Sequence, residues 1–166
     1  MSDPKGTKPA RNGPSPGRKP VLVLSGFLPY RLNQLAETVS RSFSKIYADK
    51  YGIGIPEWRV LAMLGEREVM TARDVSQATS MHKTKVSRAV ATLEKRNFIL
   101  RDTNPLDQRE QTLKLSAEGI AVYEDIVPRA LAYTQELEDA LTEEQKALLD
   151  DLFDRLHRAA GAPGHN

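Results

Sequence analysis

Leu28, Leu32, Leu35, Val39, Phe43, Ile46 and Tyr47 recur mostly at steps of three and four residues, the spacing that lines up one side of an α-helix. The stripe predicts a helix from near Pro29, a residue suited to a first helical turn, to about Lys50, with Gly52 and Gly54 ending it. Pro56 opens a second, shorter helix carrying Trp58, Val60, Leu61 and Leu64, which is expected to stop at Gly65. Thr71 followed by Asp74 reads as an N-cap with an acid in the first turn, predicting a short helix over 72–79. A break of two or three residues precedes another helix running to about Arg96. ILRDT (99–103) and QTLKL (111–115) then read as two strands around the polar loop NPLDQRE (104–110). Ser116 begins a helix in which Ile120, Tyr123, Val127, Leu131, Thr134, Leu137 and Leu141 fall close to one face, with a bend expected at Pro128. Thr142 and Gln145 fit a capping box for a last helix whose stripe is Leu148, Leu149, Leu152, Phe153 and Leu156.

The helix after the break, within MHKTKVSRAVATLEKR (81–96), has an unusual division of faces. Val86, Ala89, Val90 and Leu93 form one narrow apolar face, while Thr84, Arg88, Ala91 and Lys95 lie opposite and Lys85 and Ser87 flank them. The outer face is cationic and short-chained, so the backbone can approach a partner closely. A DNA major groove admits one helix, and Arg, Lys, Ser and Thr can reach its bases and phosphates. A merely solvated helix also presents charge. The order of elements is more specific than the helix alone: a capped short helix, a tight turn, a basic helix and a two-stranded hairpin form a winged helix-turn-helix.

The 166 residues suffice for one domain, or two small ones sharing a core. Charge changes the picture by segment. Residues 82–114 hold eight Lys/Arg against four acids, and 115–166 hold four against eleven. A basic stretch in a nearly neutral chain points to a polyanionic partner. Residues 1–20 hold five Pro, three Gly and five Lys/Arg, a composition expected to stay disordered, either as a plain tail or as an arm adding phosphate contacts. The absence of cysteine excludes disulfides, thiolate metal sites and thiol-based sensing. The apolar run VLVLSGF (21–27) is short for a signal peptide and leads into helical periodicity, and no stretch has the length of a membrane span. A cytoplasmic protein is expected. His82, His157 and His165 are too scattered for a zinc site. With no Gly-rich phosphate loop or metal motif, neither catalysis nor a cofactor is expected.

IPEWRVLAML (55–64), ARDVSQATSMHKTKVSRAVATLEKRNFILR (72–101) and NPLDQREQTLKLSAEG (104–119) resemble the MarR (multiple antibiotic resistance regulator) family of transcription factors. The Asp-x-Arg wing followed by L-x-L-[ST]-x-x-G is the most specific of these motifs, and the resemblance runs from about Leu28 to Arg158. It implies a mainly α fold: a winged helix-turn-helix lobe with a two-stranded wing, plus a helical dimerisation region built from N- and C-terminal helices. The expected organisation is a basic tail (1–20), a first dimerisation helix (21–55), the DNA-binding lobe (56–115) and C-terminal dimerisation helices (116–160).

What the resemblance implies for function is a homodimer binding double-stranded DNA. Lys83, Thr84, Lys85, Ser87 and Arg88 would enter the major groove. Arg109 would enter the adjacent minor groove, and Asp107, otherwise a turn residue after Pro105, would orient a nearby arginine. Arg101 and Lys114 would contact phosphates. It further implies a small-molecule effector, an aromatic carboxylate or its acyl thioester, at a junction lined by Tyr30, Arg31, Phe43, Tyr47, Trp58 and Arg59. Phe43, Tyr47 and Trp58 would equally serve as ordinary core residues. The function expected is that of a repressor released from a near-palindromic operator by its effector. The alternative is a protein-interaction adaptor that uses a winged lobe without specific DNA binding.

Overall fold

The computed structural model describes residues 19–103 and 111–161. Among these, a short 3₁₀ turn, Leu24–Gly26, precedes six helices and three strands: α1 (Leu28–Tyr51), α2 (Ile55–Arg67), β1 (Val69–Thr71), α3 (Ala72–Thr79), α4 (Lys83–Lys95), β2 (Ile99–Thr103), β3 (Gln111–Leu115), α5 (Ala117–Glu138) and α6 (Glu143–Gly161). The described residues divide within α1, between Thr38 and Val39, into two compact units. No described helix is long and apolar enough to cross a membrane.

Local chemistry places most boundaries where the sequence puts them. The Thr71 hydroxyl accepts from the Asp74 N–H at 3.1 Å, and the Asp74 carboxylate accepts from the Thr71 N–H at 3.1 Å, a reciprocal cap that starts α3. The same exchange between Thr142 and Gln145 starts α6. Glu57 closes the first turn of α2 by accepting from the Gly54 N–H at 2.9 Å. At the far end of α1, the Asp125 carboxylate of α5 accepts from Lys50 Nζ at 3.0 Å and from the Tyr51 hydroxyl at 2.8 Å. These bonds hold it below the usual carboxylate range.

Three features depart from the sequence-based expectations. First, α2 does not stop at Gly65 but continues to Arg67, and Glu68 caps it at φ 62°. Gly65 is there for space: a Cβ would meet the ring of Tyr123. Second, the sheet has a third strand. β1 pairs antiparallel with β3, giving the order β1-β3-β2 with Met70 opposite Leu113 and Arg101 opposite Leu113. Three residues carry no visible alternation, so β1 depends on its partner rather than on a pattern of its own. Third, α5 buries Gly119, Val122 and Ile126, whereas Ile120, Leu131 and Leu137 of the expected stripe are exposed. The helix has two apolar faces, and only one of them meets the core.

The core lies beneath the sheet and among α1, α2, α3, α4 and α5. Tyr47, Val60, Leu61, Leu64, Val75, Val86, Ala89, Val90, Leu93, Leu113 and Ile126 form its most buried part. By contrast α6 buries nothing, and Leu148, Leu149, Leu152 and Phe153 stand in solvent. Within residues 19–38, Leu24, Leu28, Leu32 and Leu35 are likewise exposed.

α5 begins at Ser116, whose hydroxyl accepts from the Gly119 N–H at 2.9 Å and donates to the Asn97 carbonyl. This brings Gly119 so close to the Phe98 carbonyl that a Cβ would collide with backbone. Gly119→Ala is therefore expected to destabilise the chain by about 1–3 kcal/mol despite alanine's better helix propensity. Urea unfolding checks the sign, which propensity alone would make positive.

Candidate nucleic-acid interface and adjoining cavity

α4 is rolled about its axis by its apolar seam. Val86, Ala89, Val90 and Leu93 are buried, and Lys83, Thr84, Lys85, Ser87, Arg88 and Ala91 consequently lie exposed on the opposite side. Neither Lys83, Lys85 nor Arg88 is in an ion pair with another described residue. An amphipathic helix whose cations are uncommitted and whose exposed face is otherwise small can approach a polyanion closely.

The segment before α4 holds it at a defined angle to α3. Ser80 adopts the left-handed conformation (φ 52°) that ends α3, and Ser76 donates to the Met81 carbonyl at 2.6 Å. His82 then caps α4, its Nδ1 accepting from the Thr84 N–H at 3.3 Å. The cap consumes Nδ1 as an acceptor, so the neutral imidazole carries its proton on Nε2. Nothing in the hydrophobic pattern marks His82, because histidine is an uncommon cap.

On the wing, the predicted phosphate contacts separate. Lys114 is exposed on the outer face of the sheet, 3.5 Å from Asp102. Arg101 faces the other way and is engaged: its Nε and Nη2 donate to the two oxygens of Glu94 at 2.8 Å each, and its Nη1 donates to Gln111 at 2.6 Å. The guanidinium holds the Glu94 carboxyl below its ordinary range. Asp107 and Arg109 lie outside the described residues.

A cavity of about 220 Å³ opens beside the lobe, lined by residues of α1, α2 and α5. It brings together Phe43, Tyr47, Trp58 and Arg59, four of the six expected ligand residues; Tyr30 and Arg31 are not in its lining. The Tyr30 hydroxyl accepts from Gln34 one turn on, at 2.9 Å. Sequence reading missed Tyr133, whose ring stacks on Phe43 with centroids 5.5 Å apart and whose hydroxyl donates to the Val39 carbonyl at 3.2 Å. Trp58 stacks on Tyr47 at 5.6 Å. The Tyr47 hydroxyl is buried without a hydrogen-bond partner. Burial pushes its pKa up to about 12, against the pull of nearby Arg59, so at neutral pH it is a donor with nothing to donate to.

Residues 53–111 match the MarR family, the segment that holds α2, the helix-turn-helix and the start of β3. Over this segment the chain is similar to MarR-family transcriptional regulators. It is 27% identical over 131 residues to the HTH-type transcriptional regulator FarR of Neisseria gonorrhoeae, a match covering 79% of this chain and 89% of FarR. Its fold is similar to that of a MarR/EmrR family regulator from Acinetobacter sp. ADP1, at a TM-score of 0.75 and 25% identity over 84% of this chain and 98% of that one. A MarR family regulator from Silicibacter pomeroyi DSS-3 is 29% identical with a TM-score of 0.67, over 82% and 99% of the two chains. The fold is shared too with a mutant MarR from E. coli solved in complex with operator DNA, at a TM-score of 0.69 and 22% identity over 78% of this chain and 92% of that one.

The unpartnered hydroxyl makes a simple stability test of the cavity. Tyr47→Phe removes a buried donor that has no acceptor, so it is expected to leave the fold intact and to raise stability by up to about 1 kcal/mol. A thermal melt showing clear destabilisation would mean that the hydroxyl has a partner in solution.

Proposed function

We propose that this chain is a MarR-type transcriptional regulator, a cytoplasmic homodimer that binds a near-palindromic operator and represses transcription until a small aromatic acid releases it. The observation that carries the reading is the exposed cationic face of α4, whose roll is imposed by the buried seam behind it. Lys83, Thr84, Lys85, Ser87 and Arg88 are the groove-reading set, Arg88 contacting a base and the lysines phosphates. Lys114 is a phosphate contact from the outer face of the wing. Asp107 and Arg109 are assigned to the wing's DNA contacts on the sequence motif alone. That a protein of this fold has been solved on operator DNA supports the reading.

Dimerisation is supported by apolar surface that one chain leaves uncovered. Leu131 is 66% exposed and Phe153 51% exposed, alongside Leu28, Leu35, Leu148 and Leu152. A second copy covering these residues would take exposed apolar side chains out of water. Two α4 helices related by a two-fold axis would then read half-sites about one helical turn apart, roughly 10 bp.

The effector reading rests on the cavity. Its aromatic walls suit a ring, and Arg59 with the unsatisfied Tyr47 hydroxyl supplies a cation and a donor for a carboxylate. About 220 Å³ accommodates a single-ring acid, whereas the bulk of an acyl thioester would have to project outside.

Fluorescence anisotropy against tiled duplexes from the upstream region of the chain's own gene, at two salt concentrations, tests the DNA reading. One tile should bind tightly with a steep salt slope, as counterion release requires. Arg88→Ala should cost about 1–3 kcal/mol on that tile and much less on random DNA. Equal losses on both would make Arg88 a phosphate contact. Weak, equal, salt-insensitive binding to every tile would favour a protein-interaction adaptor. In the same assay a single-ring aromatic carboxylate should release the tile, and Tyr47→Phe should blunt that release without changing DNA affinity.

A further inference from the structure

We infer that Arg101 is a positioning residue that braces the wing against the recognition helix α4, rather than a contact to the DNA backbone. The inference rests on the DNA-binding reading for its consequence, but the brace itself is visible in the free chain.

The strand register decides which way Arg101 faces. Residues opposite one another in an antiparallel pair share a face of the sheet, and Arg101 lies opposite the buried Leu113. It therefore stands on the inner face, toward α4, while Leu100, Asp102 and Lys114 occupy the outer one. Its guanidinium spans three elements. Two N–H groups meet both oxygens of Glu94, on the last turn of α4, and a third meets Gln111, the first residue of β3. This is the two-pronged geometry that gives an Arg–carboxylate pair its directional strength. Because Gln111 lies opposite Thr103 at the far end of the β2–β3 ladder, the fork ties both wing strands to the helix at the point where they have left the core.

Glu94 is the one acid in α4, in a segment otherwise rich in cations. On a surface meant for a polyanion an acid weakens attraction. A carboxylate there is accounted for if it orients an arginine. It would be a handicap if Arg101 were meant for phosphate, since the two would compete for the same guanidinium.

The two roles predict opposite signs for Glu94→Gln. If Arg101 serves the DNA directly, removing the acid frees it and adds net positive charge, so operator binding tightens. If Arg101 is a brace, Glu94→Gln weakens operator binding despite the favourable charge change, by roughly fivefold, the scale of a partly exposed ion pair. Arg101→Ala should weaken binding to a similar degree with the slope of log affinity against log salt unchanged, whereas a lost phosphate contact would lower that slope by about one per protomer. The double variant should bind no worse than the poorer single one. Exchanging the pair, Glu94→Arg with Arg101→Glu, should recover part of the loss.

Hydrogen exchange on the free full-length chain provides a readout that needs no DNA. Amides of 99–103 and 111–115 should lose protection in both single variants, while those of α2 keep theirs. Tighter operator binding by Glu94→Gln, a shallower salt slope for Arg101→Ala, or unchanged exchange in the wing strands would each overturn the brace. If the unaltered chain selects no operator at all, the DNA reading fails, and the exchange experiment still decides whether Arg101 holds the wing.

Discussion

Burial of Val86, Ala89, Val90 and Leu93 fixes the roll of α4, and most of what this protein can do follows from that one constraint. A helix with four apolar positions on a narrow face has one way to bury them. The residues left outside are then Lys83, Thr84, Lys85, Ser87, Arg88 and Ala91. Their chemistry is cationic, hydroxylic or small, and the seam that exposes them is made by α2, α3 and the sheet. The Ser80 turn sets where α4 begins and the Glu94–Arg101–Gln111 fork ties its end to the wing. The presented surface is thus held at both ends of one short helix.

α2 has a second consequence. Val60, Leu61 and Leu64 pack into the core that supports α4, while Trp58 and Arg59 line the cavity. One rigid element therefore has the recognition helix on one side and the cavity on the other. On the proposed reading, a carboxylate drawn toward Arg59 and Tyr47 acts on α4 through the packed body of α2, and no flexible connection is needed. The unsatisfied Tyr47 hydroxyl fits this arrangement, since a buried donor kept without an acceptor is a cost that a ligand can relieve.

The features legible in the sequence were those set by neighbours along the chain. The caps at Thr71 and Thr142 involve residues three apart, so α3 and α6 begin where the pattern places them. The two faces of α4 were readable because its apolar residues are few and strictly spaced. What escaped notice depends on residues distant in sequence. β1 exists through its pairing with β3, Gly65 is small because Tyr123 lies against it, and Tyr133 enters the cavity from α5. α5 is apolar on two sides, and spacing alone does not say which side the core takes. A basic residue on a wing strand, such as Arg101, looks available for phosphate from the sequence alone. The register and Glu94, seven residues away on another element, show that its fork is occupied.

Dimethyl sulfate protection of the bound operator decides whether the exposed face of α4 enters the major groove. The reagent methylates guanine N7 in the major groove and adenine N3 in the minor groove, so it reports which groove is filled. Groove entry predicts guanine protection in two patches about one helical turn, roughly 10 bp, apart on one side of the duplex, with Arg88→Ala restoring reactivity at one guanine in each patch. Operator binding that left every guanine N7 reactive, or protected adenines alone, would contradict it.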